Sequence, residues 1–207
     1  MLLVGVTGSI GMGKSTVAQM FKEHGYGVYN ADDTVHYIYE KDKDVIAKVE
    51  AKFPGSTKDG AVNRMALRDI LNKDPKKFRD LEQIVHPVTR NYQIMYINKL
   101  IEEGKTGCVL DIPLLFETGG EKYVDVSVVV TASEETQQSR VVSERKVPLE
   151  IFNAIKGQQM PDREKLKKAD YIISTDSEIE KTKSEVKEVA AKIKLINPKA
   201  WNTFFNK

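Results

Sequence analysis

The sequence predicts an α/β fold on a five-stranded parallel sheet, and three observations carry that expectation. Short β-rich apolar runs recur along the chain with helical stretches between them, the alternation that builds a parallel sheet. The run from Val124 to Val130 is nearly continuous in β-branched residues, as expected of a strand covered on both faces. The first apolar run, Leu2 to Val6, leads directly into Gly8-Ser9-Ile10-Gly11-Met12-Gly13-Lys14-Ser15, a complete G-x-x-x-x-G-K-S/T phosphate-binding loop.

Each element follows in order. The first strand is Leu2–Val6, and the loop opens a helix over Lys14–His24, where Val17, Met20, Phe21 and His24 recur at helical spacing and Gly25 stands at the C-cap. A second strand, Tyr26–Tyr29, ends at Asn30-Ala31-Asp32-Asp33-Thr34. The third is Val109–Ile112, the fourth Val124–Val130, and the fifth Tyr171–Ser174. Residues 34–106 separate strands two and three by more than a normal crossover and read as an inserted, mainly helical lobe with a Pro-Gly-Ser turn at 54–56. A last helix begins at the capping-box pattern Ser177-Glu178-Ile179-Glu180 and should pack through Ile179, Val186, Val189, Ile193 and Ile196.

A chain of 207 residues can bury one substantial core and still carry insertions. Its net charge of +2, from 32 basic and 30 acidic residues, lacks the basic footprint of a dedicated nucleic-acid binder. The single Cys108 excludes an internal disulfide and a cysteine-rich zinc site, and its apolar neighbours predict a buried, inert strand residue. The N-terminal apolar run is too short for a signal peptide or a membrane span, so the expectation is a cytoplasmic protein without a membrane partner. No nucleic-acid partner is expected at this charge, and the chain is expected as a monomer or a small homo-oligomer, which the sequence does not decide between.

The loop motif assigns chemistry to its residues. Its backbone N–H groups must turn inward around a polyphosphate, so glycines stand where a Cβ would obstruct or where φ must be positive, which Gly8, Gly11 and Gly13 satisfy. Lys14 would reach the β- and γ-phosphates, Ser15 would offer its hydroxyl to Mg²⁺, and the following helix N-terminus adds N–H donors. Carboxylates at the carboxyl ends of strands lie where open α/β sheets bind ligands. Asp111 qualifies as the acid holding Mg²⁺ through water, or as a cap before Pro113; Asp32 qualifies as a general base, or as the N-cap of the next helix, a place Asp33 or Thr34 could also fill. Residues 140–168 gather Arg140, Arg145, Lys146, Lys156, Arg163, Lys165, Lys167 and Lys168 against fewer acids, which suits either a polyphosphate lid or a solvated helix face.

Taken together, Thr7 to Ser15, Asn30-Ala31-Asp32, Val85-His86-Pro87, Pro113-Leu114-Leu115-Phe116-Glu117, Gln159 and Ala169-Asp170-Tyr171 resemble the dephospho-coenzyme A kinase family, in order and at suitable intervals over roughly residues 2–175. The loop is shared by many NTPases; His-Pro followed by Asp-Ile-Pro-Leu-Leu-Phe-Glu is specific to this family. The resemblance implies a nucleotide-kinase-like three-layer α/β/α core (1–33, 107–137 and 169–207), a helical CoA-binding lobe (34–106) and a lid (138–168). It implies transfer of the ATP γ-phosphoryl group to the ribose 3′-hydroxyl of dephospho-CoA, with Mg²⁺. Asp32, Lys14 and Arg140 would be catalytic. Gly8, Ser9, Ile10, Gly11, Met12, Gly13, Lys14, Ser15, Thr16, Arg140 and Arg145 would bind ATP. Asp32, Arg64, Arg68, His86, Pro113, Leu114 and Glu117 would meet the acceptor, with Ser15 and Asp111 at the metal. The chain departs from the family pattern at Asn30 (Asp in the family), His36 (Arg), Glu144-Arg145 (Arg-Asp) and Thr175 (Asn).

Several of these residues also have plain structural readings. Arg64 and Arg68 lie one helical turn apart and suit either CoA phosphates or a solvated face. His86 suits a substrate site or a position ahead of a helix started by Pro87, while Leu114, Leu115 and Phe116 have the character of core. Another nucleotide or nucleoside kinase would share the same loop and metal logic. A nucleotide-dependent switch fits less well, because Asn72-Lys73-Asp74-Pro75 and Asn98-Lys99-Leu100-Ile101 both miss the Asn-Lys-x-Asp guanine-reading pattern.

Overall fold

The computed structural model describes residues 1–205, which form two compact units: residues 1–29 together with the chain from Ile97 onward, and Asn30–Tyr96. The first unit opens with strand β1 (Leu2–Thr7), buried along its whole length, then the phosphate loop and helix α1 (Lys14–Met20). The helix expected to reach His24 tightens at Phe21 into a 3₁₀ turn over Phe21–His24, and Gly25 closes it with φ +87°. Strand β2 (Tyr26–Asn30) follows.

In the second unit, α2 (Ala31–Lys41) is capped by Asn30, whose side-chain oxygen accepts the N–H groups of Asp32 and Asp33. That corrects the capping alternatives: Asp32, Asp33 and Thr34 lie inside the first turn. Helix α3 (Lys43–Lys52) is capped by Asp42 in the same way. The Glu50 carboxylate gathers the N–H groups of Gly55 and Thr57 and so fixes the expected turn. A hairpin of β3 (Thr57–Lys58) and β4 (Ala61–Val62) turns on Asp59 and Gly60, both at positive φ. Helix α4 (Arg64–Lys73), capped by Asn63, and α5 (Phe78–Glu102) complete the lobe. Pro87 does not start a helix. It lies within α5, where its ring withholds an N–H from the turn before it. Ile38, Val45, Val49, Phe53, Leu67 and Leu71 form a core belonging to this unit alone.

Helix α5 runs past the end of the second unit at Tyr96, so the lobe boundary falls inside a helix and not at the strand expected after residue 106. The chain then gives β5 (Gly107–Asp111), β6 (Val126–Thr131), α6 (Glu134–Gln138), a wide π-turn over Ser139–Glu144, α7 (Leu149–Gln158), α8 (Asp162–Lys168), β7 (Tyr171–Ser174) and α9 (Ile179–Ile193). Residues 201–205 end the described chain in a second wide turn. Val124 and Asp125 stay outside the fourth strand, because the Asp125 carboxylate turns back to accept the N–H groups of Leu3, Lys199 and Ala200. The capping box at Ser177 does not form. Glu178 occupies the N-cap without a side-chain bond, and Ile179 stays half exposed, whereas Val186, Val189, Ile193 and Ile196 pack as expected.

The sheet order is β2-β5-β1-β6-β7, with β1 parallel to β5 on one side and to β6 on the other. The strand that feeds the phosphate loop is therefore central. Val4, Val6, Val128 and Val130 pack with Val17 and Ala18 of α1 and with Val186 and Ala190 of α9. Cys108 sits fully buried in β5, where burial pushes its thiol up to about 12.

Candidate nucleotide site

The loop geometry follows from its neighbours. Gly11 and Gly13 hold φ of +80° and +82°, a conformation that disfavours a side chain, while a Cβ on Gly8 would lie 2.5 Å from the Val130 carbonyl oxygen. Ser9 and Met12 are buried beneath the loop, and the Met12 sulfur takes the Ala132 N–H. Ser15 and Thr16 stand exposed at the start of α1. Lys14 Nζ pairs with Asp111 Oδ1, and Ser15 Oγ lies 3.3 Å from Asp111 Oδ2. An ammonium, a hydroxyl and a buried carboxylate thus converge where β1 and β5 end.

Arg140 is aimed at the loop from the π-turn, whose extra residue per turn re-aims its side chains. Its Nη1 donates to Thr175 Oγ1 at 2.8 Å and to the Gly11 carbonyl at 3.4 Å, and its Nη2 donates to the Thr175 carbonyl at 2.6 Å. The Thr175 hydroxyl in turn donates to the Met12 carbonyl at 2.9 Å. Between these groups a cavity of about 350 Å³ is lined by Gly13, Thr16, Arg140, Arg145, Thr175 and Ser177. Thr175 joins loop, arginine and cavity through its hydroxyl.

The sequence reading missed the glutamine clamp. Gln137, fully buried, donates to the Ile10 carbonyl at 2.7 Å, and Gln159 accepts the Ile10 N–H at 3.0 Å. Gln159 was visible only through the resemblance, and Gln137 carried no signal beyond a polar residue in an otherwise solvated helix. Asp176 was also missed; the Ser133 N–H, outweighing its slight burial, holds its carboxyl below the usual range, with the Ser133 and Thr136 hydroxyls and Arg140 adding to the effect.

The remaining expected residues fall as follows. Pro113 accepts the Thr7 hydroxyl through its carbonyl; Leu114 is exposed, whereas Leu115 and Phe116 are core. Glu117 faces inward, with Oε1 accepting the Met160 N–H at 2.7 Å and pairing with Lys165 at 3.0 Å. In the second unit, Asp32 is exposed in the first turn of α2, Arg64 and Arg68 are exposed on α4, and His86 is exposed on α5 beside Pro87. His36 pairs with Glu40 one turn along α2 at 3.4 Å.

A parallel sheet of this order, with a glycine-rich loop leaving its central strand and a lysine and serine meeting a carboxylate on the neighbouring strand, defines a P-loop protein of the nucleotide-kinase type. The chain belongs to the dephospho-CoA kinase family, whose sequence model matches residues 2–181. It is 44% identical over 189 residues to the dephospho-CoA kinase of Rhodopseudomonas palustris (strain HaA2), covering 91% of this chain and 94% of that one. It is 42% identical over 193 residues to the Agrobacterium fabrum dephospho-CoA kinase, covering 93% and 98%. Among solved structures, TT1252 from Thermus thermophilus superposes with a TM-score of 0.80 at 30% identity, covering 95% of this chain and 98% of that chain. Dephospho-CoA kinase from Campylobacter jejuni gives 0.67 at 27% identity, covering 93% and 96%.

Proposed function

We propose that this protein transfers the γ-phosphoryl group of ATP to the ribose 3′-hydroxyl of dephospho-CoA, giving CoA and ADP as the last step of CoA synthesis. Membership of the family supports the reaction, and the meeting of Lys14 and Ser15 with buried Asp111 is the single observation in this chain that carries it. In this reading residues 8–16 cradle the phosphates, and Lys14 neutralises charge on the transferring group. The cavity beside Thr175 takes the base, with Arg140 and Arg145 bordering it on the lid side. Asp32 accepts the proton of the attacking hydroxyl; Arg64, Arg68 and His86 bind the acceptor, as do Pro113 and Leu114. Residues 138–168 serve as a lid that excludes water.

A magnesium ion fits the donor set at Ser15 and Asp111, which offers hard oxygens at the phosphate loop. Among the described residues no three His, Cys, Asp or Glu side chains group as a metal cage, so phosphate and water oxygens would complete its shell. When bound it supplies charge neutralisation at the β- and γ-oxygens. Among the described residues no helix is long and apolar enough to cross a membrane. An unpaired cysteine suits a reducing, cytoplasmic setting.

Incubation with Mg-ATP and dephospho-CoA tests the proposal: mass spectrometry should find CoA and ADP in equal amounts. ADP formed at the same rate without dephospho-CoA would overturn it.

A further inference from the structure

The Glu117–Lys165 pair is set among apolar side chains. Lys165 is fully buried, and Leu115, Phe116, Met160 and Leu166 pack in the same cluster. Packed apolar residues usually hold such a place at least as well as an ion pair, so a pair here is not explained by stability alone. Its orientation is specific. Glu117 Oε1, held by Lys165 of α8, accepts the N–H of Met160, which lies in the corner between α7 and α8. The residue before it, Gln159, accepts the N–H of Ile10 in the phosphate loop, while Gln137 holds the carbonyl of the same residue. Ile10 is therefore gripped at both ends, and one grip depends on where the corner sits.

We propose that Glu117 is a positioning residue for the phosphate loop, acting through the Met160 peptide and Gln159 and not by touching the acceptor substrate. Burial by itself would raise the Glu117 carboxyl, but the Met160 N–H and Lys165 together hold it below the usual range, so the acceptor stays ionised at neutral pH. A long glutamine side chain fixes a loop only when its own backbone is fixed; Glu117 fixes it from the segment that follows β5. The segment that follows β5 and the loop are thereby coupled through the Met160 peptide and the Gln159 side chain. This inference deepens the proposed kinase reading, and its test is arranged so that the two can fail separately.

The test compares ADP affinity, the KM values for ATP and dephospho-CoA, and thermal melting in three variants. Gln159→Ala should bind ADP about three- to tenfold more weakly, the scale of one lost hydrogen bond, and raise the KM for ATP without changing that for dephospho-CoA. Glu117→Leu/Lys165→Met removes both charges, keeps a packed fold and loses the acceptor for Met160, so it should reproduce the Gln159→Ala loss. Adding Gln159→Ala to it should weaken ADP no further. Glu117→Gln/Lys165→Met keeps an amide oxygen for the Met160 N–H and should rescue ADP affinity. A rise in the KM for dephospho-CoA with ADP affinity unchanged in the leucine pair, or multiplying losses in the triple variant, would overturn the proposal. If the wild type makes no CoA, the kinase reading falls, and the ADP affinities still judge the tether.

Discussion

Lys14→Met should destabilise the nucleotide-free protein as well as abolish phosphoryl transfer, although the residue stands at the very start of α1. Its ammonium pairs with Asp111, whose side chain is 4% exposed against 14% for Lys14. Removing one partner of a buried pair leaves a charge out of water, at a cost of about 3–5 kcal/mol, and the low end applies where water can follow the missing ammonium. A chain of this size loses about 2–4 °C in melting temperature per kcal/mol, so about 3 kcal/mol corresponds to about 6–12 °C. The double variant Lys14→Met/Asp111→Asn removes the orphaned charge and should regain most of that loss without regaining turnover. Thermal melts followed by circular dichroism without nucleotide, beside a coupled ADP-release assay, read both effects. A Lys14→Met protein melting within about 2 °C of wild type would refute the pair as a structural contact, and near-normal turnover would refute the loop assignment.

Asp32→Asn should lower turnover about 10²–10⁴-fold, as removal of a general base does, with ADP affinity kept; full activity there and its loss in Asp33→Asn would reassign the base. Arg140→Ala should lower kcat more than ADP affinity, and hydrogen exchange across 138–168 should slow when ATP and dephospho-CoA analogues are both bound; unchanged exchange with normal turnover removes the lid from the mechanism. Asp176 has a carboxyl held below its ordinary 3.8, so its contribution is complete above that value and lost as the pH falls through the lower folded value. The acid limb of a stability-against-pH curve should therefore be shallower in Asp176→Asn, and coincident curves would refute the Ser133 contact.

Elements were legible where local chemistry decides them. The apolar run, glycine loop and lysine of residues 2–15 form one strand-loop-helix unit, and the valines of β6 announce a buried strand. Features set by distant partners were not. Asn30 reads as a departure from an aspartate, yet its amide oxygen caps α2 and displaces Asp32 into the helix. Pro87 marks a helix start by its own preference, but α5 carries it inside a long helix. Ile179 fits the apolar stripe of α9 by spacing and still faces out, because the helix begins there and its first turn leaves the core. Within the candidate site, the loop and Asp111 could be named from motif and position, and Arg140 through the resemblance. Gln137 could not, since only the fold brings α6 against Ile10.

The central position of β1 has a consequence for how the protein is made. Leu2 pairs with Gly107 and Val4 with Val126, so β1 finds its partners only after the whole of the second unit, which lies between them in sequence, has been synthesised. Pairings of such long sequence separation form late and slowly. The second unit has its own apolar core between those two moments and can collapse while β1 still waits. Nucleotide affinity is thus among the last properties a nascent chain acquires, and any truncation before β6 yields a polypeptide that carries the complete loop motif and no scaffold to hold it.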